Sequence, residues 1–139
     1  MDNETAYRLD DQVGFILRKV QQRHLAIFAD HIPDLTPRQF AALAKLCERG
    51  AMSQNELGRQ TAMDAATIKG VVDRLRKQEL VGTTANSDDR RRLTVRVSAK
   101  GEHLYQQVEA AAHQITAETL APLAPGQQRN LLALLLKLT

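Results

Sequence analysis

Asp64-Ala65-Ala66-Thr67-Ile68-Lys69-Gly70-Val71-Val72-Asp73-Arg74-Leu75 opens with a residue suited to cap a helix. It then repeats apolar side chains at Ile68, Val71, Val72 and Leu75, the i, i+3, i+4, i+7 spacing of one helical face. At about 100° per residue, Ala66, Gly70, Asp73 and Lys77 fall on the opposite face, flanked by Lys69 and Arg74. Just upstream, Ser53-Gln54-Asn55-Glu56 reads as a capping box that starts a short helix carrying Leu57 and ending near Thr61. Two short helices joined by a tight turn, the second with a polar outer face, make a helix-turn-helix.

Beyond Glu79 the period changes from 3.6 to 2. Leu80-Val81-Gly82-Thr83-Thr84 reads as one strand and Leu93-Thr94-Val95-Arg96-Val97 as another, with the charged, turn-forming Asn86-Ser87-Asp88-Asp89-Arg90-Arg91 between them. The pair is a hairpin with a basic tip, a wing beside the helix-turn-helix. Upstream, Val13, Leu17, Val20 and Ile27, with Ile16 and Phe28 beside them, mark a long amphipathic helix from about Asp10 to His31. Ile32-Pro33-Asp34-Leu35 breaks it. Thr36-Pro37-Arg38-Gln39 then supplies an N-cap, an N1 proline and a capping-box glutamine for a second helix that turns Phe40, Leu43, Leu46 and Cys47 inward and stops near Gly50.

Downstream, Ser98 caps a long helix (Leu104, Val108, Ala111, Ile115) running to about Leu120. Pro122 and Pro125 predict a break, and Leu131 to Leu138 a last helix whose leucines cover more of its circumference than one neighbour can bury. Surplus apolar surface at both ends of the chain points to a homodimer built from the termini.

The composition agrees with this architecture. The chain has 139 residues, the length of one domain, with 43% apolar and only 4% aromatic residues and no tryptophan, which favours a helical core of aliphatic side chains. From Arg59 to Lys100 there are ten Lys/Arg against five Asp/Glu, so this segment carries +5 of a net +3 and the remainder is slightly acidic. A basic segment in a nearly neutral chain is the footprint of a polyanion-binding surface. No stretch is long and apolar enough for a membrane span, and Met1-Asp2-Asn3-Glu4 lacks the start of a signal peptide, so a cytoplasmic protein is expected. The single Cys47 makes no internal disulfide. There is no HExxH, CxxC or GxxxxGK[ST], and His24, His31, His103 and His113 match no standard zinc spacing, so no catalytic residue, metal or cofactor is expected.

The candidate partner is double-stranded DNA. Ala65, Ala66 and Gly70 allow the start of the recognition helix to approach base edges, where an alanine methyl can pack on a thymine methyl, and Thr67, Lys69 and Arg74 supply donors. Arg38 and Gln54 are further candidate DNA contacts. Arg90 and Arg91, at the wing tip beside Asp88 and Asp89, suit a narrow, negative minor groove.

Residues 64–75, then Glu79-Leu80-Val81, Asp88-Asp89-Arg90-Arg91-Arg92 and Val95-Arg96-Val97-Ser98-Ala99-Lys100-Gly101, together resemble the MarR family. The flanking helices fit that family's dimerisation region. The resemblance implies one domain over residues 1–139, mainly α with a small β-hairpin wing: a winged helix at 36–97 between dimerisation helices at 10–34 and 98–139. It also implies a homodimer on a pseudo-palindromic operator, usually a repressor, released when a small aromatic acid binds between the dimerisation helices and the winged helix. Gly70 departs from the polar or basic residue common in the family, so the operator cannot be carried over.

His24 and His31 interrupt the apolar face of the first helix, where a polar ring needs a partner. Each is either a satisfied interface histidine or a group in an effector pocket, and Arg18 is a candidate to pair with an effector carboxylate. The tracts Asp11–Arg18 and Arg23-His24 resemble the branch that controls aromatic and nicotinate-type catabolism. The alternative is an effector-independent accessory or architectural DNA-binding protein, which would lack the roughly 10³-fold operator preference of a regulator.

Overall fold

The computed structural model describes residues 6–85, 88 and 92–139. These form a 3-10 turn (Leu9–Asp11), helices α1 (Val13–His31), α2 (Pro37–Arg49), α3 (Gln54–Gln60), α4 (Ala65–Lys77), α5 (Ala99–Leu120) and α6 (Pro125–Lys137), and strands β1 (Met52–Ser53), β2 (Val81–Ala85) and β3 (Leu93–Val97). No helix among the described residues is long and apolar enough to cross a membrane. The chain divides into two compact units, Ile32–Ala111 and the combined termini Met1–His31 with Ala112–Thr139.

In the first unit the predicted signals act largely as read. Thr36 accepts from the backbone N–H of Gln39 at 3.1 Å while the Gln39 side chain accepts from Thr36 N–H, and Pro37 occupies the first turn, where no donor is lost. α2 ends at Gly50, whose φ of +83° favours a residue without a Cβ. Asp64 caps α4 through the N–H of Thr67 at 2.7 Å. Ser53 caps α3 through Glu56 N–H at 3.1 Å, but the reciprocal half of the expected box is missing: the Glu56 carboxylate is taken by Arg59 and Gln60.

Leu43, Leu46, Leu57, Ile68, Val72, Leu75 and Val95 are all fully buried, so α2, α3, α4 and the sheet share one core. Ile32 and Leu35, read from sequence as a helix break, also enter it, while Phe40 and Cys47 are only half-buried. β2 and β3 pair antiparallel from Val81↔Val97 to Ala85↔Leu93, and the short β1, too brief to show a period, extends the order to β1-β3-β2. A Cβ on Gly58 would lie 3.0 Å from the Met63 carbonyl and 3.1 Å from Ile68 Cγ2, so the helix-turn-helix closes because that residue has none. Gly101 is constrained more severely: a Cβ there would overlap the Leu80 carbonyl and reach 2.8 Å from Val97 Cγ2.

In the second unit α1 begins at Val13, three residues later than read, behind the 3-10 turn. α6 begins at Pro125 rather than Leu131, because that proline starts a helix instead of forbidding one and Gln127 accepts from Ala124 N–H at 2.9 Å. Phe28, Ile115 and Leu120 are buried here, whereas Val13, Leu17 and Val20 on α1 and Leu132, Leu134, Leu136 and Leu138 at the other end are exposed.

Candidate nucleic-acid interface

The outer face of α4 is open, as its periodicity requires: Ala65, Ala66, Lys69, Gly70 and Arg74 are exposed and Thr67 is half-buried. The helix start is fixed by Asp64, whose carboxyl is held below its ordinary pKa by the Thr67 backbone N–H, then by the Thr67 hydroxyl, with a smaller contribution from the charge of Arg38. Lys69 is not a free cation: its Nζ donates to Asp73 Oδ2 at 3.1 Å one turn on, so the ammonium is aligned along the helix.

The N-terminus of α2 supplies the neighbouring wall. Thr36, Arg38 and Gln39 together with Ala66, Thr67, Gly70, Val71 and Arg74 line an open concavity of about 310 Å³. Arg38, a candidate DNA contact by sequence, thus lies beside the recognition helix. Gln54 does not join it; with Ser53, Asn55, Arg92 and Leu93 it lines a small hollow at the base of the hairpin. Arg90 and Arg91, the wing-tip candidates, lie outside the described residues.

Behind α4 a second set of contacts fixes how it is held. Lys100 Nζ donates to the Gln78 carbonyl at 2.9 Å and Ser98 Oγ to the Glu79 carbonyl at 2.7 Å, while Ser98 Oγ also accepts from Gly101 N–H at 3.0 Å. The two carbonyls just past the end of α4 are therefore satisfied by Ser98, just before α5, and by Lys100 in its first turn. The sequence placed Lys100 in a basic segment and gave no sign of this role.

Comparison with known proteins fits this arrangement. The MarR family model matches residues 35–93, which span α2 to the start of β3. The HTH-type transcriptional repressor NicR of Pseudomonas putida is 40% identical over 140 aligned residues, covering 99% of this chain and 88% of that protein. The chain belongs to the MarR family. Among solved MarR-like structures, a probable transcriptional regulator from Pseudomonas aeruginosa superposes with a TM-score of 0.91 at 52% identity, covering 95% of this chain and 100% of that one. BpsR of Bordetella bronchiseptica, whose DNA binding is regulated by 6-hydroxynicotinic acid, gives 0.91 at 36% identity and 96% coverage of both chains. This chain is therefore a MarR-type winged-helix transcription regulator.

The remaining candidates of this MarR-type chain lie in the unit of the termini. Arg18 is exposed on α1 and has no hydrogen bond or ion pair to another described residue. His24 is half-buried with Nδ1 2.8 Å from Thr119 Oγ1, and His31 Nε2 pairs with Glu118 Oε1 at 2.8 Å. Both rings thus have the polar partner that their place on an apolar face demanded. Sequence reading missed Arg23, whose guanidinium donates to the Thr119 and Glu118 carbonyls, each at 2.8 Å, at the negative end of the α5 dipole. Cys47 sits where burial, then Glu102 and Glu48, push its thiol pKa up, which disfavours the reactive thiolate.

Proposed function

We propose that this regulator is a repressor that grips a two-fold symmetric operator as a homodimer and releases it when a small aromatic carboxylate of nicotinate type binds at Arg18 and His24. The observation that carries the effector half is an exposed arginine without a partner on the same helix as a half-buried histidine, in a chain 36% identical to a protein regulated by 6-hydroxynicotinic acid. A guanidinium fork matches a carboxylate in two parallel hydrogen bonds. The second ring nitrogen of His24, left over from its bond to Thr119, is the group for a ring hydroxyl or nitrogen of the effector.

The operator half rests on α4 and Arg38 for the major groove, with Arg90 and Arg91 for the minor groove. The dimer half is supported by the exposed leucines of α6 and the exposed apolar residues of α1. Two recognition helices would then enter successive major grooves about 34–36 Å apart.

The test begins with selection of an operator from a random duplex pool and sedimentation of the protein at micromolar concentration. The complex is then titrated with 6-hydroxynicotinate, nicotinate, hydroxybenzoate and benzoate. Release by about 1–3 kcal/mol of coupling is expected, with operator weakening effector binding by the same factor. Arg18→Ala and His24→Ala keep operator affinity and lose the response. Failure of every compound at millimolar concentration, or a wild-type response in both variants, refutes this pocket; a monomer that binds the operator refutes the dimer.

A further inference from the structure

Gly70 is the sixth of the thirteen residues of α4, a mid-helix place where glycine weakens a helix relative to alanine. Nothing among the described residues accounts for it. Its φ is not positive, and a Cβ built on it meets no atom within 4 Å, in contrast to Gly58 and Gly101, which packing requires. The missing side chain therefore leaves room outside the protein, in the concavity it lines between Arg38 on α2 and Arg74 on α4. Ala66, one turn earlier on the same exposed face, adds apolar surface to that room, and Arg38 and Arg74 add two cations to a lining that also holds Thr36, Gln39 and Thr67.

An A·T pair shows one apolar group in the major groove, the thymine methyl, and a G·C pair shows none. We propose that Gly70 is the specificity-determining position of α4: the space over Gly70 and Ala66 takes the 5-methyl group of one operator thymine in each half-site, while Arg38 and Arg74 hold the flanking phosphates. This rests on the DNA-reading function above and adds which base is read and by what. A side chain at position 70 would occupy the volume the methyl needs, so the helix gives up stability for close approach.

The test uses the full-length protein and its selected operator, with each thymine replaced in turn by deoxyuridine, which removes only the methyl. Wild type should lose about fourfold in affinity at one thymine per half-site, the factor that burial of one methylene-sized group is worth. Gly70→Ala should bind the thymine operator about tenfold more weakly and melt about 3 °C higher. In Gly70→Ala, deoxyuridine at that same position should restore affinity or leave it unchanged. The raised melting temperature separates lost reading from misfolding. If wild type selects no operator, the repressor reading fails. If it selects one but the deoxyuridine scan is flat, or Gly70→Ala keeps wild-type affinity and the wild-type scan, this inference alone is overturned.

Discussion

The two units of the chain use their apolar residues in opposite ways. Among the described residues, 13 of the 16 buried apolar residues lie in Ile32–Ala111, while all eleven exposed large apolar side chains lie in the unit of the termini, from Tyr7 and Leu9 to Leu136 and Leu138. The first unit is a finished core on which a polar face is mounted. In the second, exposure runs along whole helices, with Leu136 72% and Val13 64% exposed, and at about 25 cal/mol per Å² such a surface is costly to leave in water. The contrast teaches where the chain puts its apolar side chains: one unit buries them against itself and the other leaves them on its surface.

The sharpest way to break this contrast is a pair of truncations of similar chemistry. Leu75→Ala, in the finished core, should cost about 2–5 kcal/mol, the range for a buried leucine, equally at every protein concentration. Leu136→Ala should cost under about 0.5 kcal/mol if that residue stays exposed, but lower a concentration-dependent Tm if a partner covers it. Melting both variants over a hundredfold range of concentration decides it. A concentration-independent Tm for wild type and Leu136→Ala would make the terminal unit as self-contained as the other.

A smaller effect separates residues that touch DNA from residues that hold the reader in place. Lys100→Met should weaken operator binding several-fold by freeing the end of α4. Because its ammonium is bonded to the Gln78 carbonyl, the salt dependence should keep its slope. Loss of a true phosphate contact would reduce that log–log slope by about one, and such a reduction would return Lys100 to the DNA surface.

The smallest effect is one of pH. Asp64 has a folded pKa below its unfolded value, chiefly through the Thr67 N–H, so its contribution to stability is present above the unfolded carboxylate pKa and is lost as pH falls through the folded one. The window lies below about pH 4. Asp64→Asn keeps a cap that does not ionise, so the difference in Tm between wild type and this variant should shrink between pH 5 and pH 2.5. Glu56, also held low by Gln60 and Arg59, titrates in both proteins and cancels.

What the sequence disclosed follows the same division. In Ile32–Ala111 the signals are local: Thr36, Asp64 and the spacing of Ile68, Val71, Val72 and Leu75 each act within a turn or two, so α2, α4 and the hairpin strands could be placed almost to the residue. β1 has two residues and no period to show. The start of α6 was hidden because a proline stops one helix and begins another with the same ring. For the candidate site, the outer face of α4 was legible from its periodicity, but the approach of Arg38 to it depends on how α2 packs. That His24 and His31 need partners follows from their place on an apolar face. That the partners are Thr119 and Glu118 does not, since they lie 95 and 87 positions further along the chain.

Those long separations also set an order of events during synthesis. Ile32–Ala111 is one unbroken stretch and can close as soon as it has emerged, as domains do on a chain growing from its N-terminus. The other unit is made of both ends. Arg23, His24 and His31 emerge early, yet the residues they bind, Glu118 and Thr119, arrive after the whole of that stretch, so α1 must wait with its apolar face uncovered. A chain stalled after Ala111 would therefore carry the whole of the first unit and a first helix still without Glu118 and Thr119. Only the arrival of Ala112–Thr139, the rest of α5 and all of α6, gives the first helix its partners.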